Sequence, residues 1–207
     1  MIGIATRLKR LHDMVFGVVE HALDGWFLGL AARFVFAAVL WMYFLNSART
    51  KVGDGFLGFF SIRDNAYYQI VLPAVDAAGG DVSQVAFIPW GLMVVMGTYG
   101  EFILPLLVVL GLFARMAALG MIAFIGVQTL VDVTIHQVGP GAIGALFDRF
   151  PDAVIMDQRL LWVFPLVCVA VKGAGAVSLD AVAARMWGRR VSGSAGFGLV
   201  GPPDSGT

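Results

Sequence analysis

Glu101 lies within the apolar stretch 99–115, which reads Tyr-Gly-Glu-Phe-Ile-Leu-Pro-Leu-Leu-Val-Val-Leu-Gly-Leu-Phe-Ala-Arg. A charged side chain at the centre of a bilayer costs several kcal/mol, so this carboxyl must be protonated, paired, or lining a protein-filled or wet interior. Pro105 sharpens the point, because proline has no N–H and its ring crowds the carbonyl four residues back, which here belongs to Glu101. An ionisable side chain and a freed backbone acceptor therefore share one helix position, and this makes Glu101 the first candidate site.

Gln128, Asp132 and His136 form a second constellation. At i, i+4 and i+8 they make one polar stripe on an otherwise apolar helix. Counting from Arg115 at a rise of about 1.5 Å per residue, Asp132 arrives close to the opposite membrane boundary. Asn46, at the end of an earlier apolar run and followed by Arg49 and Lys51, reaches a similar depth. The economical reading is a polar pocket that opens outward, with Glu101 as its deeper floor. In the simpler reading, Asp132 and His136 cap a helix end at the interface and pair with Arg49 or Lys51. The candidate catalytic residues are thus Glu101, Asp132 and His136, and the candidate ligand-binding residues are Gln128, Asn46 and Arg33.

Soft-metal chemistry has one opening. Met42, Met93 and Met96 fall in the outer half of the expected bundle, and thioethers with the His136 imidazole suit Cu(I). Methionine in a membrane core is otherwise packing, and no His/Cys pair has zinc spacing, so no metal ligands are assigned. Cys168 is the single cysteine, which excludes an internal disulfide and a CxxC motif.

The elements that must position these residues follow from composition. Hydrophobic residues are 59% and charged residues 14% of 207, against about 45–50% and about 25% in soluble domains. The mean hydropathy of +0.84 agrees. Fourteen basic and fourteen acidic residues give no footprint for nucleic acid. The expected fold is all-α: a polytopic bundle of four transmembrane helices near 27–46, 85–113, 116–136 and 160–177, each about 20 residues or more. Before it, residues 4–23 carry Arg7, Lys9 and Arg10 beside Leu8, Leu11, Val15, Val18 and Val19 at helical spacing, an amphipathic interfacial helix. Three regions result: this helix (1–25), the membrane domain (26–180) and a tail (181–207) that is basic, then disordered from residue 191.

No cleavable leader is expected, since the first strongly apolar run begins near Trp26 and is too long for one. Arg7, Lys9, Arg10, Arg115, Arg185, Arg189 and Arg190 on one side outnumber Arg49, Lys51, Arg63, Arg149 and Arg159 on the other. That asymmetry predicts that both termini are cytoplasmic, and lets Arg33 and Lys172 snorkel to that side; the expected location is a bacterial inner membrane. Of the two outer connections, 48–84 is expected to hold one or two short interfacial helices, and 137–158 a short amphipathic piece at 143–150.

Several motifs together resemble the DoxX family of small four-helix membrane proteins, over about 28–180. They are Gly100-Glu101 with Leu107–Arg115 and Ala117-Ala118-Leu119-Gly120, Leu160-Leu161-Trp162 with Lys172-Gly173-Ala174-Gly175-Ala176-Val177-Ser178-Leu179-Asp180, and Arg33 through Ser47-Ala48-Arg49-Thr50-Lys51. Ala48 stands where the family usually has glycine, and the N-terminal helix, the long first connection and the Gln128/Asp132/His136 stripe are not general family features. The segment from Ser61-Ile62-Arg63-Asp64 to Leu72-Pro73 resembles a subgroup found near copper-responsive peptide clusters.

The resemblance implies membrane redox chemistry. The expectation is a quinone-linked redox protein or the membrane subunit of a respiratory-type oxidoreductase complex. Glu101 and Asp132 would relay protons, His136 or Gln128 would hydrogen-bond a quinone carbonyl, and Arg33 would help satisfy the interior. The sequence shows no haem, flavin or iron–sulfur signature, so quinone, a metal or a partner subunit must supply the electron chemistry. A non-catalytic accessory subunit of a respiratory or photosynthetic complex is the alternative, and a copper-handling membrane protein is a second one. The lipid bilayer and a larger membrane complex are the expected partners.

Overall fold

The computed structural model describes residues 2–194, all-helical in its regular elements apart from one antiparallel bridge between Val52 and Ile62. In chain order the helices are α1 Ile2–Leu23, α2 Phe27–Val39, α3 Trp41–Arg49, α4 Gly55–Gly58, α5 Asp64–Ile70 and α6 Leu72–Ala77. They continue with α7 Leu92–Leu110, α8 Ala114–Thr134, α9 Pro140–Ile143, α10 Arg159–Lys172 and α11 Leu179–Ser194.

Three stretches are long and apolar enough to cross a membrane: Phe87–Leu110, Ala114–Thr134 and Val154–Lys172. The number rises to four if α1 and α2, which meet at 65°, count as one broken span. The expected first span falls on α2 and α3, which are joined across Leu40 by the bonds Leu40 N–H to the Phe36 carbonyl and Phe44 N–H to the Leu40 carbonyl. The α2–α3 unit packs on α10 and α7, α7 packs on α8, and α8 on α10, closing a four-membered bundle. Phe36, Phe44, Met121, Leu166 and Val108 fill its centre. The outer face is equally apolar, with Phe34, Leu130 and Phe164 each more than 60% exposed. Apolar side chains both inside and outside are what lipid as solvent requires.

At the end where α7 turns into α8, the expected tight hairpin is present and is held by a latch. Gly111 ends α7 in the left-handed region (φ 66°), where a Cβ would come within 2.6 Å of Ser178 and 2.7 Å of the Arg33 guanidinium carbon. Arg33 is buried and donates to the carbonyls of Val108, Val109, Ala174 and Val177. Those of Val108 and Val109 are among the last carbonyls of α7, where the helix leaves acceptors open; Val108 also accepts from the Gly111 N–H at 3.1 Å. Asp180 accepts from the Phe113 N–H (2.8 Å) and the Ala114 N–H (2.9 Å), and so caps α8 from a different helix. Ser178 Oγ in turn accepts from the Ala181 N–H and caps α11.

Several boundaries differ from the sequence reading. The fourth span stops at Lys172 rather than residue 177, because Gly173 (φ 85°) and Gly175 (φ 76°) turn the chain back against Gly29. Arg33 does not snorkel outward, whereas Lys172 is exposed. In the second connection the helical residues are α9 and Val154–Gln158, which flank the expected amphipathic piece at 143–150. The helical run at the C-terminus reaches Ser194, beyond the expected onset of disorder at 191; the rest of that expectation, 195–207, lies outside the described residues. The first connection holds three short helices, not one or two, with a small core of their own at Ala66, Val71 and Val75 against Val94 of α7. Within it Asp81 accepts from Ser83 and Gln84, and these bonds hold its carboxyl below the usual carboxylate range.

The latch yields a stability prediction. Arg33→Leu removes the side-chain donor from four carbonyls, of which Val108 keeps the Gly111 N–H, and should cost about 2–4 kcal/mol, whereas Asp180→Ala, which removes a cap, should cost about 1 kcal/mol. Thermal unfolding in detergent measures both; equal midpoints for Arg33→Leu and wild type would show that the latch contributes nothing.

Candidate functional site

The opposite end of the bundle, where α3 runs into the long connection and α8 ends, carries a cleft of about 170 Å³. Glu101 forms its floor. Ser47 and Lys51 come from the end of α3 and the residues after it, Gln69 and Ile70 from α5, and Phe124, Val127, Gln128, Val131 and Asp132 from α8, with His136 just beyond. The 740 Å³ groove between α1 and the start of α2 is larger, but it is the open angle between two helices and its ionisable side chains are exposed.

Of the states open to Glu101, the structure shows the paired one. Lys51 Nζ donates to Glu101 Oε2 at 2.8 Å, to Ser47 Oγ at 2.9 Å and to the Ser47 carbonyl at 3.2 Å, so all three of its N–H bonds are used. Ser47 Oγ donates to the second carboxylate oxygen at 3.4 Å. The Lys51 and Glu101 side chains are 3% and 8% exposed. Burial of two charges is tolerated only with such geometry, because desolvation of each ion offsets much of their attraction. Proline does not end the helix here, and α7 continues through Pro105.

The α8 stripe rises from this floor. Phe124 lies against Gly100, at the level of Glu101, and Asp132 is eight residues further along, about 12 Å by the helical rise. Asp132 pairs with Arg159, whose other terminal nitrogen donates to Thr129 Oγ1 at 2.8 Å. His136 Nε2 lies 3.1 Å from the Gln69 carbonyl; a carbonyl only accepts, so Nε2 carries a proton. Gln128 Nε2 donates to Tyr43 Oη at 3.0 Å, while its Oε1 is buried without a partner.

Four sequence candidates therefore share one cleft: Glu101, Gln128, Asp132 and His136. Neither Asp132 nor His136 pairs with Arg49 or Lys51, because Lys51 is taken up by Glu101. Asn46 is exposed and does not line the cleft, one helix step away from the face that Ser47 and Lys51 share. Arg33 belongs to the latch at the other end of the bundle, where four of its five N–H groups donate to carbonyls, and it contacts nothing in the cleft. Met42, Met93 and Met96 are 52%, 46% and 67% exposed and none joins His136 in the cleft. Among the described residues no group of three or more His, Cys, Asp or Glu side chains is placed to hold a metal ion.

Sequence reasoning missed Lys51 as the partner of Glu101, Ser47 as the hydroxyl between them, and Arg159 as the partner of Asp132. The signal was available in part. Ser47 and Lys51 stand at i, i+4, and a buried acid near the outer half of the bundle had only five cations from which to draw a partner.

Fold and site together define a helical membrane bundle with a polar, ion-paired cleft at one end. Comparisons of the chain with protein-family models, with curated proteins and with solved structures returned no match.

Removing one member of the buried pair should cost more than removing both. Lys51→Met is expected to lose about 3–5 kcal/mol by stranding the Glu101 charge, and Lys51→Met with Glu101→Leu to recover most of that. Denaturant unfolding of the three proteins in detergent gives the comparison; equal losses in the single and double variants would contradict it.

Proposed function

We propose that this chain is a DoxX-type inner-membrane protein that holds a quinone headgroup in the cleft. It serves as a quinone-linked redox protein or as the membrane subunit of a respiratory-type oxidoreductase complex. The observation that carries the reading is the Gln128 amide oxygen, buried and unpartnered in a cleft walled by Ile70, Phe124, Val127 and Val131. An amide suits both oxidation states: its oxygen accepts from a quinol hydroxyl, and turned over, its NH2 donates to a quinone carbonyl while Tyr43 donates to the oxygen.

The cleft volume supports a single ring. A cavity of about 150 Å³ accepts benzene, so 170 Å³ suits a substituted six-membered ring whose tail stays outside. Val127, 59% exposed, marks a lipid-facing edge for such a tail. Reduction of a quinone takes two electrons and two protons. The electrons come from a redox-active partner subunit, and the Glu101–Lys51 pair and His136 are the proton-exchanging groups within the cleft. Family membership is supported by the roles the quoted motifs take up: Ser47, Lys51 and Glu101 meet in the cleft, and Gly173, Gly175, Ser178 and Asp180 build the latch. The basic-residue asymmetry supports an orientation with the cleft end facing outward.

The accessory-subunit reading has its own observation, since α1 stands clear of the bundle with Leu8, Leu11, Val15 and Val18 at least half exposed. Titration of purified protein with a short-tailed quinone separates the two. Saturable binding, weakened tenfold or more by Gln128→Leu and lost in a folded Glu101→Gln variant, is the expected result. No binding, together with larger redox subunits retained in mild detergent, would replace it with the accessory role.

A further inference from the structure

The connection after α3 does not sit on top of the bundle. Tyr99 Oη donates to the Phe59 carbonyl at 3.0 Å, and the Phe59 ring packs edge-on against Tyr99 and Phe102, with centroids 5.4 and 5.1 Å apart. Phe102 and Tyr99 lie eight and eleven residues from Leu110, the end of α7, so the contact lies about 12–17 Å along the helix from the latch. Arg115 and Lys172 mark the polar boundary at the latch end. Measured from there, the Phe59 contact falls inside a hydrocarbon layer about 30 Å thick.

The tip beside that contact is apolar and uncovered. Phe56, Leu57 and Phe60 are 84%, 81% and 67% exposed, values that water would penalise. Part of its backbone is paired within the loop: Gly53 N–H donates to the carbonyls of Gly58 and Ser61, Phe59 N–H to Gly55, Phe60 N–H to Leu57 and Ser61 N–H to Gly58, while Asp54 gives the short helix no side-chain cap. Hydrocarbon offers no hydrogen-bond partners, so every backbone bond made within the loop lowers the cost of placing it at that depth. The nearby charges are managed as well. Asp54, whose side chain is 97% exposed, pairs with Arg63 at 2.5 Å at the base of the loop, and Arg49 has a long stem with which to reach a headgroup.

We propose that residues 55–60 form a re-entrant wedge whose partner is lipid, with Phe56, Leu57 and Phe60 inserted among the acyl chains beside the middle of α7. The wedge begins four residues after Lys51, and the Lys51 carbonyl accepts from the Arg63 N–H at the base of the same loop. Lipid contact at the tip thereby holds the segment that delivers Lys51 to Glu101, whatever the cleft binds.

Spin-label accessibility in phosphatidylcholine/phosphatidylglycerol liposomes tests this. A label on Leu57→Cys in a Cys168→Ala background should collide with oxygen several-fold more than with a water-soluble nickel chelate. It should match a label on lipid-facing Leu130→Cys and oppose one on exposed Ala77→Cys. A Leu57 label that behaves like Ala77, or one shielded from both reagents, would overturn the wedge by placing the tip in water or under protein. Wild-type protein provides an independent check: a phospholipid with a mid-chain diazirine should label 56–60 on irradiation. Adducts confined to the long helices would also refute the proposal.

Discussion

The ion pair between Lys51 and Glu101 sets the terms for this end of the molecule. An acid in the middle of α7 is tolerable in lipid only with a cation delivered to it, and the cation comes from the residues just past α3 rather than from a neighbouring helix. The chain must therefore enter the side of the bundle at that depth, and the connection that follows must be long enough to climb back out. Its short helices, their contact with α7 and the wall that α5 gives the cleft all follow from that demand. Ser47, shared between both charged groups, fixes their geometry where attraction alone would only just offset desolvation.

The two ends of the bundle solve the same problem differently. At the latch, charged side chains are spent on backbone: Arg33 on four carbonyls, Asp180 on two N–H groups. Four of the five Arg33 donors are used this way, and glycines at 29, 111, 173 and 175 let the segments close to contact distance. At the cleft, charged side chains pair with one another, and an amide oxygen remains without a partner. One end commits its charges to backbone, and the other keeps capacity for a small polar group.

The sequence was most informative where hydropathy dictates structure. An all-helical membrane bundle, the α7–α8 hairpin and the polar face of α8 were legible because a 3.6-residue period and about 20 apolar residues admit few alternatives. Glu101, Gln128, Asp132 and His136 were also found, since polar groups inside apolar runs stand out. Their partners were not. Lys51 lies beyond the end of the first span, in a segment that hydropathy marks as loop, and only tertiary structure brings it down to Glu101. Asn46 was misplaced for the converse reason: depth along a helix is readable from sequence, but the face that packs inward is set by neighbours. Arg33 was expected to seek water, whereas free carbonyls at the end of α7 gave it a closer partner.

The latch also has a meaning in time. A chain made and inserted from its N-terminus brings Arg33 into the membrane before any of its acceptors: Val108 follows 75 residues later, Ala174 and Val177 141 and 144 residues later. The first turn of α8 likewise waits 66 residues for the Asp180 carboxylate. Arg33 thus gains its acceptors in two instalments, first from the end of α7 and then from the turn after α10, and the start of α8 stays uncapped until α11 begins. The closing of the bundle is therefore a late event, made by its last segment upon its first.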